Sequence, residues 1–274
     1  MIALANVVKC NKINSGMDKK QLEQLLSNCP YIYQPIYGLA KENQPVSARN
    51  GYDRLYTIKD VYSKISSAEK RPLKVLDLGC NAGFYSFELA RLGADVTGVE
   101  TNKGFYNLCN YLKDVSGLKT VSFLNANFVE LYAENKLGSF DLILGLSIFH
   151  HIASKYTYKK AREILEGLAY ESSILLELAL HDEVGAKGRP EGPSWAKSQP
   201  KNYRDWLVNF DWTHEISRFK TPSSQTSRPM LFGSNKFIIR GSKCIKINET
   251  EDRSQTINIY SNTINIQTLN AKDF

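Results

Sequence analysis

Apolar residues recur at helical spacing twice before residue 70. Met17 to Asn28 carries Leu22, Leu25 and Leu26, and Tyr52 to Ser66 places Leu55, Ile58, Tyr62 and Ile65 on one face. Pro30, Pro35 and Pro45 interrupt regular structure between them. From Pro72 to about Arg240, short apolar runs alternate with helical patterns. Strands are expected at Lys74 to Leu78, Asp95 to Val99, Thr120 to Leu124, Phe140 to Gly145 and Ser173 to Ala179. Helices are expected at Phe84 to Leu92, ended by Gly93, at Lys103 to Val115 and at Thr157 to Tyr170. Such alternation predicts an α/β fold, a parallel sheet with helices on both faces. Thr213 to Phe219 and Met230 to Ile239 have no clear helix between them and suit an antiparallel hairpin closing the sheet. Beyond Arg240, polar residues alternate with Ile in Thr256 to Tyr260 and Thr263 to Ile266, fitting a small hairpin or a weakly ordered tail. Three regions follow: an N-terminal helical lid over residues 1–70, an α/β core over 71–240, and a polar tail over 241–274.

A chain of 274 residues with 42% hydrophobic content can bury one large domain with extensions or two small ones. No apolar run approaches the ~20 residues of a membrane-spanning helix. Met1 to Lys20 lacks the apolar stretch and small-residue cleavage site of a signal peptide. Cys10, Cys29, Cys80, Cys109 and Cys244 form no CxxC pair, so neither a metal site nor a disulfide framework is expected. A cytoplasmic location fits this, with peripheral attachment to the inner membrane only through partners. The net charge of +7 favours an anionic partner such as a small phosphorylated substrate. Nucleic acid is disfavoured, because the basic residues are dispersed rather than set in a stripe with exposed aromatics.

The strand ending at Leu78 runs into Gly79-Cys80-Asn81-Ala82-Gly83 and then into a helix. Gly79 and Gly83 permit tight turning and close approach of a ligand to the backbone. Open α/β sheets bind ligands at such carboxyl ends of strands. Asp77 would repel a pyrophosphate but suits the cationic amino-acid end of S-adenosylmethionine. Glu100 ends the next strand, where a carboxylate can accept both ribose hydroxyls, and the GxGxxG spacing of dinucleotide sites is absent. Asn127 follows the third strand and can accept from an adenine amino group, with Phe128 placed to stack on the ring. Phe140 to Ile152 forms a further strand-end segment containing Gly145, Leu146 and Ser147.

In this order, these segments resemble the motifs of class I S-adenosylmethionine-dependent methyltransferases. The resemblance implies a Rossmann-like, mostly parallel seven-stranded sheet with an antiparallel last strand, and S-adenosyl-L-methionine as cofactor. It assigns to the cofactor Tyr37, Asp77, Gly79, Cys80, Asn81, Gly83, Phe84, Glu100, Thr101, Asn127, Phe128, Gly145, Leu146 and Ser147.

Four further stretches resemble a narrower group: Tyr31 to Gly38, Gly145 to Ile152, Leu176 to Ala179 and Arg228 to Asn235. Over about residues 25 to 240 they are similar to the methyltransferase half of the bifunctional kinase/methyltransferases that terminate polymannose O-antigen chains. There the kinase phosphorylates the terminal sugar and the methyltransferase methylates that phosphate. The similarity implies a phosphate monoester on a saccharide as acceptor and a place in lipopolysaccharide biosynthesis. Nothing after Arg240 resembles a kinase. The phosphate would come from a separate kinase or from another part of a longer chain, or else the acceptor differs. Gly185 to Trp195 has no counterpart in that group, so the acceptor pocket is open to change.

A hydroxyl acceptor normally needs a general base, whereas a phosphate oxygen already carries charge. Cationic and hydroxyl donors to hold it are Tyr33, Arg54, His151 and Arg228, arginine being suited to bidentate contact. Each has an ordinary alternative. Tyr33 and Tyr37 would equally pack the lid, Arg54 would pair with Asp53 or Glu69, and one of His150 and His151 is expected to be structural. Glu177 fits either an acceptor contact or a cap, and Cys80 a small neutral filler. Two other functions suit the same residues: methylation of RNA, including a terminal phosphate, and a non-catalytic subunit serving a separate kinase or glycosyltransferase.

Overall fold

The computed structural model describes residues 17–40, 43–45, 51–170, 172–179, 206, 213–220, 227–234, 236–240 and 265–268. They fall into two compact units, one drawn from 1–56 and 74–137, the other from 57–73 and 138–274.

The chain enters the first unit through α1 (Lys19–Ser27) and leaves it along α2 (Gly51–Glu69). It returns through β1 (Lys74–Leu78), α3 (Phe84–Ala90), β2 (Asp95–Glu100), α4 (Lys103–Ser116), β3 (Val121–Asn125) and α5 (Phe128–Ala133). Helix α1 starts where the Asp18 carboxylate accepts the amides of Lys20 and Gln21 at 2.8 and 3.2 Å. It buries Leu22 and Leu26. Helix α4 is capped by Asn102, which accepts the Phe105 amide at 3.1 Å, and ends at Gly117 in the left-handed region. Strands β1, β2 and β3 are parallel, with Leu76 opposite Thr97 and Thr97 opposite Ser122. Val75 through Leu78 are all buried, as expected of a strand covered on both faces.

Gly104 sets how closely α1 approaches α4. A Cβ there would lie 2.3 Å from the Asn28 carbonyl oxygen, a backbone atom that cannot swing aside. Gly104→Ala should therefore lower stability by about 1–3 kcal/mol in a denaturant titration.

The second unit contains β4 (Leu142–Leu146), α6 (Phe149–Lys155), α7 (Tyr158–Tyr170), β5 (Ser173–Glu177), β6 (Thr213–Lys220) and β7 (Ser227–Gly233). Strand β4 is parallel to β5, while β7 is antiparallel to both β5 and β6. The seven-stranded sheet has the order β3-β2-β1-β4-β5-β7-β6. It is thus mostly parallel, with the antiparallel last strand that the resemblance implied. No helix among the described residues is long and apolar enough to cross a membrane.

The single strand expected over Met230 to Ile239 is two strands. The Ser234 hydroxyl accepts the amides of Lys236 and Phe237, each at 3.1 Å, and this local turn ends β7. The chain resumes as β8 (Phe237–Arg240), which pairs antiparallel with β9 (Asn265–Thr268) in a separate small sheet. Strand β9 overlaps the expected Thr263 to Ile266 segment. Thr256 to Tyr260 and Gly185 to Trp195 lie outside the described residues.

Candidate active site

The loop after β1 is stitched to β2 by two hydrogen bonds. The amides of Gly79 and Cys80 donate to the Val99 carbonyl at 2.8 and 3.1 Å. Gly79, Asn81 and Gly83 all occupy the left-handed region, with φ of 66°, 52° and 72°. Glycine adopts it freely and asparagine tolerates it, which is why this composition turns so sharply. At Gly83 a Cβ would also crowd Phe123 and the Cys109 sulfur, both at 3.0 Å.

Glu100, at the end of β2, is held at both carboxylate oxygens. The Asn81 amide donates to Oε2 at 2.9 Å and the Asn102 amide to Oε1 at 2.8 Å. The Thr101 hydroxyl adds a long contact to Oε1 at 3.4 Å. Glu100 stays half-exposed, so each oxygen keeps capacity for a further donor. Asp77 is buried and accepts the Ser86 hydroxyl at 2.6 Å. Burial pushes its carboxyl up to about 6; the Ser86 hydrogen bond opposes this and the Glu100 charge adds to it. Sequence reasoning missed Ser86, whose signal is a small polar residue within the apolar helix segment Phe84-Tyr85-Ser86-Phe87.

Asn81 is 4% exposed, and its Oδ1 has no hydrogen-bond partner among the described residues. A buried acceptor left this way calls for a donor from a ligand. The Cys109 thiol donates to the Asn81 carbonyl at 3.3 Å. Cys80 is fully buried; its hydrogen bond with Cys109, then burial, raises its pKa, so it stays an uncharged thiol.

The other expected cofactor residues of this unit are placed as follows. Phe84 is buried, edge-on to Tyr52 at 5.2 Å. Asn127 caps α5, its Oδ1 accepting the Val129 amide at 3.1 Å and its Nδ2 donating to Glu130 at 2.8 Å. Phe128 is buried as the first residue of that helix. Tyr37 stacks on Phe87 at 4.7 Å; burial and then Glu88 raise its phenol, against the lowering effect of Arg91. Of the expected acceptor residues, Tyr33 is 45% exposed and stacks on Tyr31, and Arg54 is half-exposed in the first turn of α2.

A second polar cluster occupies the carboxyl ends of β4 and β5 in the other unit. The Ser147 hydroxyl donates to Glu177 Oε1 at 2.6 Å, and Arg228 Nη1 donates to the Ser147 oxygen at 2.9 Å. The direct Arg228–Glu177 separation is 4.0 Å, so the hydroxyl links the two charges. Glu177 is 2% exposed and Arg228 9%. Ser147 has a φ of 56°, and its amide donates to the Glu177 carbonyl at 2.8 Å, fixing the serine between the two. Gly145 is required two residues earlier, since a Cβ there would lie 2.7 Å from Leu176 and 2.8 Å from Phe149. Leu146 between them is half-buried.

The rings of His150 and His151 lie 4.1 Å apart in α6. Burial, then His151 and Arg228, holds His150 well below its ordinary pKa. His151 keeps an exposed edge, yet desolvation and then Arg228 lower it too. Both are therefore neutral at pH 7. Beside them Phe149 meets Trp206 edge-on at 6.3 Å. The structure thus brings Arg228, Ser147 and Glu177 together, with His150 and His151 within electrostatic range of the guanidinium.

Residues 75–169 match the methyltransferase domain family. The chain is 34% identical over 221 residues to the Escherichia coli O-antigen chain terminator bifunctional methyltransferase/kinase WbdD, spanning 80% of this chain and 30% of that protein. It is 28% identical over 161 residues to a ubiquinone biosynthesis O-methyltransferase of Cereibacter sphaeroides, covering 55% of each. A crystal structure of WbdD superposes with a TM-score of 0.73 at 32% identity, covering 82% of this chain and 49% of that one. The chain therefore spans less than half the length of these WbdD chains. The matched core, the strand order and these relatives identify a class I S-adenosylmethionine-dependent methyltransferase that resembles WbdD.

Proposed function

We propose that the enzyme methylates an oxygen of a phosphate monoester carried by a saccharide. The observation that carries this reading is the Arg228–Ser147–Glu177 cluster with its two neutral histidines. A phosphate acceptor needs a fixed cation to hold it rather than a strong base. Arg228, braced by Ser147, supplies that cation. His151, uncharged at pH 7, offers a hydrogen bond without a second positive charge that would damp the nucleophile. Tyr33 and Arg54 are assigned to the acceptor as well.

Cofactor binding falls to the residues around the β1 loop. The unpartnered Asn81 Oδ1 and the buried Asp77 carboxylate suit an ammonium group, and the braced Glu100 suits the ribose hydroxyls. Asn127 and Phe128 take the adenine, and Gly79 and Gly83 let the backbone come close. Tyr37, Cys80, Phe84, Thr101, Gly145, Leu146 and Ser147 complete the assigned set. When bound, S-adenosylmethionine supplies a methyl carbon that the acceptor oxygen takes in line, the C–S electron pair staying on sulfur. The chain's own task is to align the two and exclude water. The phosphate itself would come from a kinase, in a separate chain or elsewhere in a longer one.

Methyl transfer from labelled S-adenosylmethionine tests this. We expect transfer to a phosphorylated mannose oligosaccharide and none to its dephosphorylated form; equal transfer to both overturns the reading. Arg54→Ala should leave cofactor affinity unchanged and cut turnover at least tenfold, about the value of one charge-assisted contact.

A further inference from the structure

A polar cavity of about 190 Å³ lies in the second unit. Asp141, which precedes β4, and Ser172 and Ser173, at the start of β5, line one side of it. It therefore sits at the amino ends of these two strands. The Arg228–Ser147–Glu177 cluster occupies their carboxyl ends, roughly 17 Å away across five residues of strand. The cavity is smaller than the roughly 300–1,000 Å³ of sites that enclose drug-sized ligands, and suits a single ring.

Its charges cancel. The Asp141 carboxylate accepts both terminal nitrogens of the Arg71 guanidinium, at 2.8 and 2.6 Å. Glu69 pairs with Lys236 and takes a longer contact from Arg71 at 3.4 Å. Two carboxylates are thus answered by two cations. An anion entering here would meet both carboxylates, and a cation would find them already paired. Hydroxyls supply the rest of the polar wall. Ser172 donates to the Phe140 carbonyl at 2.7 Å, which leaves its oxygen able to accept. The buried Ser173 and Ser234 share a hydrogen bond at 2.9 Å. The apolar part of the wall is Ile65 and Phe237, both buried, and the Tyr170 ring, which is 77% exposed.

An uncharged ring with hydroxyls on its edge and an apolar C–H face matches this lining. Each hydroxyl can donate to a lone pair of Glu69, Asp141 or Ser172 and accept from Lys236. The C–H face can pack on the Tyr170 ring, which otherwise stays in water. We propose that this cavity binds one neutral sugar residue of a saccharide chain. The site lies apart from the acceptor proposed above, and its occupancy needs no methyl transfer.

Calorimetric titration of the full chain with unphosphorylated tetrasaccharides of mannose, glucose and galactose in turn tests it. At least one should bind, and Tyr170→Ala should weaken that binding about tenfold. Tyr170 is exposed, so its truncation leaves folding intact, and methyl transfer to a phosphorylated monosaccharide should be unchanged in the variant. Inorganic phosphate or 1,4-diaminobutane at the same concentration should not displace the sugar. Wild-type protein that binds none of the three, unchanged affinity in Tyr170→Ala, or displacement by phosphate or the diamine overturns the proposal. Sugar binding that Tyr170→Ala weakens, in a chain that methylates no phosphorylated saccharide, overturns the acceptor reading and supports this site.

Discussion

At pH 8, Asp77→Asn should be more stable than wild type when free of ligand, yet bind S-adenosylmethionine at least tenfold more weakly. The two effects share one cause. Asp77 is buried, and its carboxyl titrates at about 6 rather than at its ordinary 3.8. The folded state thus holds this proton more tightly than the unfolded chain does. A carboxyl raised in this way contributes most to stability below about pH 4, and that contribution is lost as pH rises through about 6. The resulting penalty at pH 8 is on the order of 3 kcal/mol as an upper bound. Asparagine keeps an acceptor for the Ser86 hydroxyl and carries no charge, so it escapes the penalty. It also lacks the negative charge that would meet the cofactor's ammonium. Wild-type affinity should therefore fall as pH drops through about 6, while Asp77→Asn shows little change between pH 8 and 5. Thermal melts and calorimetric titrations across that range check both halves. A variant less stable than wild type at pH 8 would sink the account.

The second large effect concerns Arg228. Arg228→Met leaves the buried Glu177 carboxylate without its guanidinium, and losing one member of such a pair costs about 3–5 kcal/mol. Adding Glu177→Gln should recover most of that stability, because no uncompensated charge remains. Methyl transfer should stay absent in the double variant. Recovery of folding without recovery of activity separates the role of Arg228 in transfer from its role in packing. Arg228→Met should also raise the pKa of His150 and His151, since the guanidinium lowers both. Chemical denaturation and NMR titration of the imidazole protons provide the readouts. Additive losses in the double variant would contradict the coupling.

The sequence made the sheet legible because its parallel strands are buried on both faces and read as short apolar runs. Strand β1 is the plainest case. Helices α5 and α6 were not foreseen as helices. With six and seven residues they are too short to show a helical period, and α5 is set by the Asn127 cap. The β7–β8 break depends on the Ser234 hydroxyl turning back on two amides, which periodicity does not register. In the β1 loop, the glycines, Asn81 and Glu100 could be singled out because they lie within about twenty-five residues and repeat a known order. The cluster at the other site could not be assembled this way. Arg228 and Ser147 are 81 residues apart, Ser147 and Glu177 are 30 apart, and their meeting depends on the register that sets Glu177 opposite Met230. Glu177 thus stood open between two roles, and its tie to Arg228 through Ser147 emerged only from the fold.

Glu100 has a consequence for rates. Its carboxylate clamps the amides of Asn81 and Asn102, so the protein's own hydrogen bonds tie the loop to the entry of α4. An arriving nucleoside need not freeze that loop, and little association entropy is lost to ordering it. Encounter with the ribose side of the site is then governed by diffusion and desolvation.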